Sequence, residues 1–295
     1  MKIDYKVLDD KIILNNVESF NPEHIFECGQ AFRWYREDDG SYTTIAYKKI
    51  LNVLLEDENT VILNNTNEED FKNIWIDYFD LKRDYSIIKN KLKGDTTMEK
   101  AIDYGYGIRI LNQEPFETMI SFIISANNQI PRIRKSIEKI SENYGEYLGE
   151  YKGKNHYSFP NPSELAKIKP EELREIARVG FRDKRIYDTA NIVNNREFNI
   201  EEAKNMDSIE LRKALMELPG IGPKVADCIM LFSFKRSETF PVDVWIKRVM
   251  EELYLHEETK QKEIGIKARE IFGEYAGFAQ QYLFYYGREN SIGKK

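Results

Sequence analysis

The chain has 295 residues, 41% of them hydrophobic and 13% aromatic, enough to bury a sizeable core in one large domain or two ordinary ones. Its charged fraction of 32% interleaves both signs, which argues against disorder, and a net charge of −6 gives no overall pull on a polyanion. Two cysteines (Cys28 and Cys228) and three scattered histidines exclude a four-cysteine iron–sulfur or zinc centre, and no apolar run is long enough to span a membrane.

Residues 1–95 read as an antiparallel sheet domain with flanking helices. The first stretch, MKIDYKVLDDK, lacks the apolar segment of a signal peptide, so a soluble cytoplasmic protein is expected. KIILNNV, AFRWYRE, YTTIAY, ILNVLLED and TVILNN mix β-branched and aromatic residues between turn-forming stretches such as DDG and EDEN. EEDFKNIWIDYF follows as a helical segment.

Residues 96–295 read as a larger, almost wholly helical domain, so the fold class is α+β. PFETMISFIISANN opens with a first-turn proline and is apolar nearly all round, the pattern of a buried helix. PSELAKI and PEELREIARV carry helix-start signals. DSIELRKALMEL opens with Asp207 three residues before Glu210, a capping-box spacing, and puts Leu211, Ala214, Leu215 and Leu218 on one face. Helical patterns resume in DVWIKRVMEELY and from Ile264 to Tyr286.

LPGIGPKVADC joins two of these helices, giving a helix–hairpin–helix over about residues 207–234. Its glycines, Gly220 and Gly222, can take positive φ and expose backbone N–H groups at the start of the second helix, a ready anion site. Taken alone, the turn is also what a tight helical hairpin needs for geometry. Lys224 stands in the first turn of that helix, where the dipole disfavours a cation. The setting favours an unprotonated amine, the form nucleophilic attack needs, but a lysine reaching a phosphate is an equal reading. At about 100° per residue, Lys224, Cys228, Leu231 and Lys235 share a face. Asp243 follows in FPVDVWIKRV, with Pro241 two residues earlier; it is an obvious N-cap for the helical segment in 241–254, and a capped carboxylate can also stabilise a developing sugar cation.

LPGIGPKVADC followed by PVD resembles the helix–hairpin–helix, glycine/proline-rich, aspartate DNA glycosylase superfamily. Bifunctional members carry a lysine where Lys224 stands; the alkylated-base branch lacks it, and the endonuclease-III-like branch usually adds four cluster cysteines that are missing here. CGQAFRW, YFDLKRDY, GIRILNQEPFETMISFIISANNQIPRI, GFRDKR and AGFAQQYLFYYG extend the resemblance along almost the whole chain, to the 8-oxoguanine DNA glycosylase/lyases.

The resemblance implies a base-flipping enzyme with Lys224 as nucleophile and Asp243 as its electrostatic partner. It puts the flipped base between Phe284 and Cys228, with Gln280 on its Watson–Crick edge and the Gly29 carbonyl facing N7, where 8-oxoguanine has an N–H and guanine a lone pair. On the residues alone Gly29 reads as a strand bulge, Gln280 as solvent-facing, and Cys228 and Phe284 as core. Asn127, Arg132 and Arg182 would contact the orphaned cytosine, Phe181 would wedge into the gap, and the backbone at Gly220, Gly222 and Val225 would take a DNA phosphate. Trp245 stands where the family often has histidine, and Phe232 where some relatives carry methionine. No cofactor or catalytic metal is expected, although relatives allow a structural cation at the hairpin. The expected partner is duplex DNA with 8-oxoguanine opposite cytosine, the expected state a prokaryotic monomer. The rivals are a monofunctional alkylated-base glycosylase and a non-catalytic DNA-binding hairpin module.

Overall fold

The computed structural model describes residues 3–293. Six strands form one antiparallel sheet: β1 (Asp4–Leu8), β2 (Lys11–Asn15), β3 (Trp34–Arg36), β4 (Tyr42–Ala46), β5 (Lys49–Leu55) and β6 (Val61–Asn64), in the order β1-β2-β6-β5-β4-β3. All five strands expected from the pattern of β-branched and aromatic residues are there. β1 is an addition: DYKVL alternates no clear apolar face and is largely exposed, so it owes its place to pairing with β2, not to burial.

The β4–β5 hairpin turns on Tyr47 and Lys48, both at positive φ (51° and 57°), without the glycine or asparagine such a turn favours. Contacts from the helical body offset that strain. The Tyr47 N–H donates to the Glu114 carboxylate (2.8 Å) and its hydroxyl to the Asn112 carbonyl (2.9 Å). Trp75, Tyr78 and Phe79, in and just after the helical turns from Glu68 to Tyr78, pack with Ile12, Leu14, Val53 and Leu63 into the sheet's core.

A second core lies among the helices, and it takes in Tyr85, Ile88 and Leu92 as well as Cys28 and Phe32 from the sheet-forming part of the chain. The Ser208–Met216 helix has the anticipated capping box: Asp207 accepts from the Ile209 and Glu210 N–H groups, and the Glu210 carboxylate accepts from the Asp207 N–H. One small sheet interrupts the almost wholly helical half, β7 (Tyr147–Tyr151) with β8 (Lys154–Tyr157), which the sequence pattern did not indicate. Its strands YLGEY and KNHY have no β-branched residue, and the Lys152–Gly153 turn at positive φ forms the ribbon. Among the described residues no helix is long and apolar enough to cross a membrane.

Candidate active site

Three helices that pack on one another carry Lys224, Gln280 and Phe284, and the cap residue Asp243. The Lys224 helix, Pro223–Ser233, starts at Gly222 with proline at the first position, where the missing N–H costs nothing. Gly220 in the preceding turn sits at φ +89°, and a Cβ there would lie 2.9 Å from the Arg185 side chain, so the turn is closed against the neighbouring helix. Gly222, by contrast, has negative φ and open space around it: of the two hairpin glycines only Gly220 needs the left-handed region. The Val225 side chain is buried, so what it presents at the hairpin is its backbone N–H, one of the first-turn donors without an intrahelical acceptor.

The Lys224 amine lies 5.2 Å from the centre of the Phe122 ring. Phe122 is stacked on Phe232 (centroids 5.7 Å, 20°) and meets Phe32 edge-on at 5.5 Å. The aromatic floor under the amine therefore comes from three segments, and the Phe232 noted as a family departure is part of it. Nothing in the sequence singles out Phe122 from the other apolar residues of its buried helix.

Asp243 caps the Val244–Met250 helix by accepting from the Ile246 N–H at 2.8 Å. Burial raises its carboxyl above the ordinary 3.8, opposed by that hydrogen bond and by the positive charge of Lys224. Burial likewise raises the Cys228 thiol to about 11, opposed first by Lys224, so the thiol is neutral. Lys224, Cys228 and Asp243 are thus within electrostatic reach of one another. Cys28 and Cys228 are both free and buried, and no group of three or more metal-binding side chains occurs among the described residues.

The third helix, Ala276–Glu289, approaches closely because two of its residues lack side chains: a Cβ at Gly277 would fall 2.4 Å from Leu231, and one at Gly287 2.2 Å from Val249. This helix carries Gln280 and Phe284. Gln280 is 5% exposed, and its buried Oε1 has no hydrogen-bond partner, unlike the solvent-facing glutamine its type suggests. Phe284 packs against Gly29, where a Cβ would come within 2.9 Å of the ring. Gly29 is not a strand bulge; it lies at φ +83° in the turn after the Pro22–Glu27 helix. Gln113 ties this turn to the Lys224 helix, donating from Nε2 to the Gln30 carbonyl and from its backbone N–H to the Phe232 carbonyl, each at 2.8 Å.

The residues expected at the orphaned base form a second group. Phe181 is 57% exposed, with Arg182 and Arg185 over its ring at 4.4 and 5.2 Å. Asn127, at φ +50°, and Arg132 are exposed. Arg182 is buried, and its guanidinium donates to the carbonyls of Ala126, Asn127 and Val179. In this conformation it holds the Asn127 turn and presents no free edge. Arg248 lies 5.4 Å from the Trp245 ring, beside the Asp243 cap.

Two family models together cover most of the chain: the N-terminal domain of 8-oxoguanine DNA glycosylase matches residues 12–119, and the HhH-GPD superfamily of base excision DNA repair proteins matches 120–274. The chain belongs to the HhH-GPD superfamily. Within it, a solved Clostridium acetobutylicum 8-oxoguanine glycosylase/lyase, in complex with double-stranded DNA containing cytosine opposite 8-oxoguanine, superimposes with a TM-score of 0.95 at 46% identity, over 99% of this chain and all (100%) of that one. MBOgg1, solved with a low-affinity DNA ligand, gives 0.96 at 48% identity with the same coverage of 99% and 100%. A probable N-glycosylase/DNA lyase of Methanothermobacter thermautotrophicus is 34% identical over 72% of this chain and 74% of its own length. The HhH-GPD fold expected from the sequence, an antiparallel sheet beside a helical body, is the fold observed.

Proposed function

We propose that this chain removes 8-oxoguanine from duplex DNA through a covalent intermediate on Lys224 and then opens the strand by β-elimination. The observation that carries the proposal is the placement of the Lys224 amine on the Phe122 ring, within charge reach of Asp243. The solved 8-oxoguanine glycosylase/lyase of Clostridium acetobutylicum, aligned with nearly the whole chain, supplies the substrate class.

The flipped base lies between Phe284 and Cys228. Gln280 Oε1, buried without a donor, accepts from the N–H groups of the base's Watson–Crick edge, which relieves the cost of an unsatisfied acceptor. The Gly29 carbonyl accepts the N7–H that only the oxidised base has. With guanine two lone pairs would face each other there, a penalty of about 1–3 kcal/mol.

Unprotonated Lys224 attacks C1′. The C–N bond forms as the C1′–N9 bond breaks, its electron pair leaves with the base, and the base takes up a proton. Asp243 stabilises positive charge on the sugar while the bond order changes. Expulsion of O4′ gives the Schiff base, which acidifies the C2′ protons; loss of one breaks the C3′–O bond. Phe181 fills the gap in the stack, and Asn127 and Arg132 read the orphaned cytosine. Arg182 joins them there by resemblance, and in the described conformation supports the Asn127 turn.

The backbone at Gly220, Gly222 and Val225 receives a phosphate at the positive end of the helix. The chemistry uses no cofactor. A cation bridging the hairpin and that phosphate would be held by backbone carbonyls of the Leu218–Gly222 turn, a hard-oxygen donor set suited to a hard ion, and no step runs through it. One chain carries both the lesion side and the orphan-base side, so the enzyme works as a monomer, in a prokaryotic cytoplasm.

Borohydride trapping on an 8-oxoguanine·cytosine duplex tests this reading. Wild type is expected to give a covalent protein–DNA adduct and Lys224→Gln none. Base release by wild type without an adduct would make the enzyme monofunctional, and binding without release would reduce Lys224 to a phosphate contact.

A further inference from the structure

The Gly29 turn is held from outside in an unusual way. Glu27, Cys28, Gly29 and Gln30 supply four consecutive carbonyls. The first accepts from Arg288 Nη2 at 2.7 Å, the second from Gln281 Nε2 at 2.8 Å and the fourth from Gln113 Nε2 at 2.8 Å. No donor to the third, that of Gly29, occurs among the described hydrogen bonds. Arg288 does more than donate. Its guanidinium lies 5.4 Å from the centre of the Phe284 ring and 5.8 Å from that of Tyr285, and its Nη1 is 3.6 Å from the point where a Gly29 Cβ would stand. An ion pair with Glu289 (2.7 Å) orients it further.

We infer that Arg288, assisted by Gln281, is a positioning residue for lesion discrimination: it fixes the direction of the Gly29 carbonyl and backs the Phe284 ring in one set of contacts. A glycine at φ +83° can swing its peptide easily, because it has no Cβ to resist. Discrimination by a single carbonyl works only if that carbonyl cannot turn away from a guanine lone pair. Holding the two preceding carbonyls with side chains of the Gln280–Phe284 helix removes that freedom. It also ties the discriminating carbonyl to the surface on which the base stacks. Main-chain acceptors make the arrangement independent of the side chains at Glu27 and Cys28.

The inference rests on the proposed base contacts, and its test separates the two. In a catalytically blocked Lys224→Gln background, affinities are measured for three duplexes: 8-oxoguanine·cytosine, guanine·cytosine, and a tetrahydrofuran abasic analogue opposite cytosine. Arg288→Met keeps an apolar stem against Phe284 but removes the donor. It is expected to narrow the 8-oxoguanine/guanine ratio about tenfold or more, the lower end of what one charge-assisted hydrogen bond is worth, and to leave abasic-duplex affinity unchanged. Arg288→Lys, which keeps a charged donor, should recover part of the ratio. An unchanged ratio in Arg288→Met, or an equal loss on all three duplexes, would overturn the inference. If the Lys224→Gln parent itself fails to prefer 8-oxoguanine, the proposed function fails, and Arg288 loses its role with it.

Discussion

Substituting alanine for Gly29 should separate backbone strain from damage to the site. At φ +83° an alanine costs about 1–2 kcal/mol, because the left-handed region crowds its Cβ. The methyl would also stand 2.9 Å from Phe284 Cε1, so the ring must retreat by about 0.5 Å to reach ordinary contact. Where a 1 Å misplacement costs about a hundredfold in rate, half of it costs about tenfold. Gly40 is the matched control: its φ is +81°, nothing lies within 4 Å of its would-be Cβ, and it sits in the β3–β4 turn. In thermal melting Gly40→Ala should lose the strain alone and Gly29→Ala the strain plus the overpacking against Phe284, each read at about 2–4 °C per kcal/mol for a chain of this size. Single-turnover excision from an 8-oxoguanine·cytosine duplex should fall about tenfold for Gly29→Ala and stay at the wild-type rate for Gly40→Ala. Equal excision by the two variants would refute the close packing of Gly29 on Phe284 as a functional feature.

Asp243→Asn keeps a side-chain oxygen to cap Ile246 and removes the charge beside Lys224, so melting should change little while excision falls roughly a hundredfold or more. In the wild type, burial raises the Asp243 carboxyl, so its acid limb in the pH–rate profile should lie above the ordinary 3.8 and disappear in Asp243→Asn. At the junction of the sheet and the helices, burial pushes the Glu117 carboxyl up to about 7, although Arg33 stands 3.5 Å away. A raised carboxyl favours folding in its protonated form. The contribution is complete below about 4.5 and is lost as pH rises through 7, up to about 3 kcal/mol in all. Glu117→Gln should therefore flatten the melting temperature against pH between those limits; an unchanged slope would remove Glu117 from the account.

The strands and most helix starts were legible because they rest on local patterns: β-branched runs between turns, first-turn prolines and the Asp207–Glu210 box. β7 and β8 were not, because YLGEY and KNHY hold together by turn geometry and not by composition. In the site, the spacing of Lys224 and Cys228 on one helix follows from periodicity. The approach of Asp243 to Lys224 came only through the family resemblance, since it rests on tertiary packing, and so did the roles expected of Gln280 and Phe284. Gly29 shows the limit well: its residue type announced an unusual backbone, but as a strand bulge, when the turn depends on Arg288, Gln281 and Gln113 far along the chain. Phe122 could not be told from its apolar neighbours, because what distinguishes it is the amine above its ring.

Gln113 is one residue with two jobs, its main chain gripping the end of the Lys224 helix and its side chain gripping the Gly29 turn. It acts as a clasp. The far end of the helix whose first turn carries Lys224 and the Gly29 turn are joined through one side chain, so a shift of the turn is felt at that helix end. Under the proposed function, a base docked on the turn would stand in a fixed relation to the helix that carries the amine.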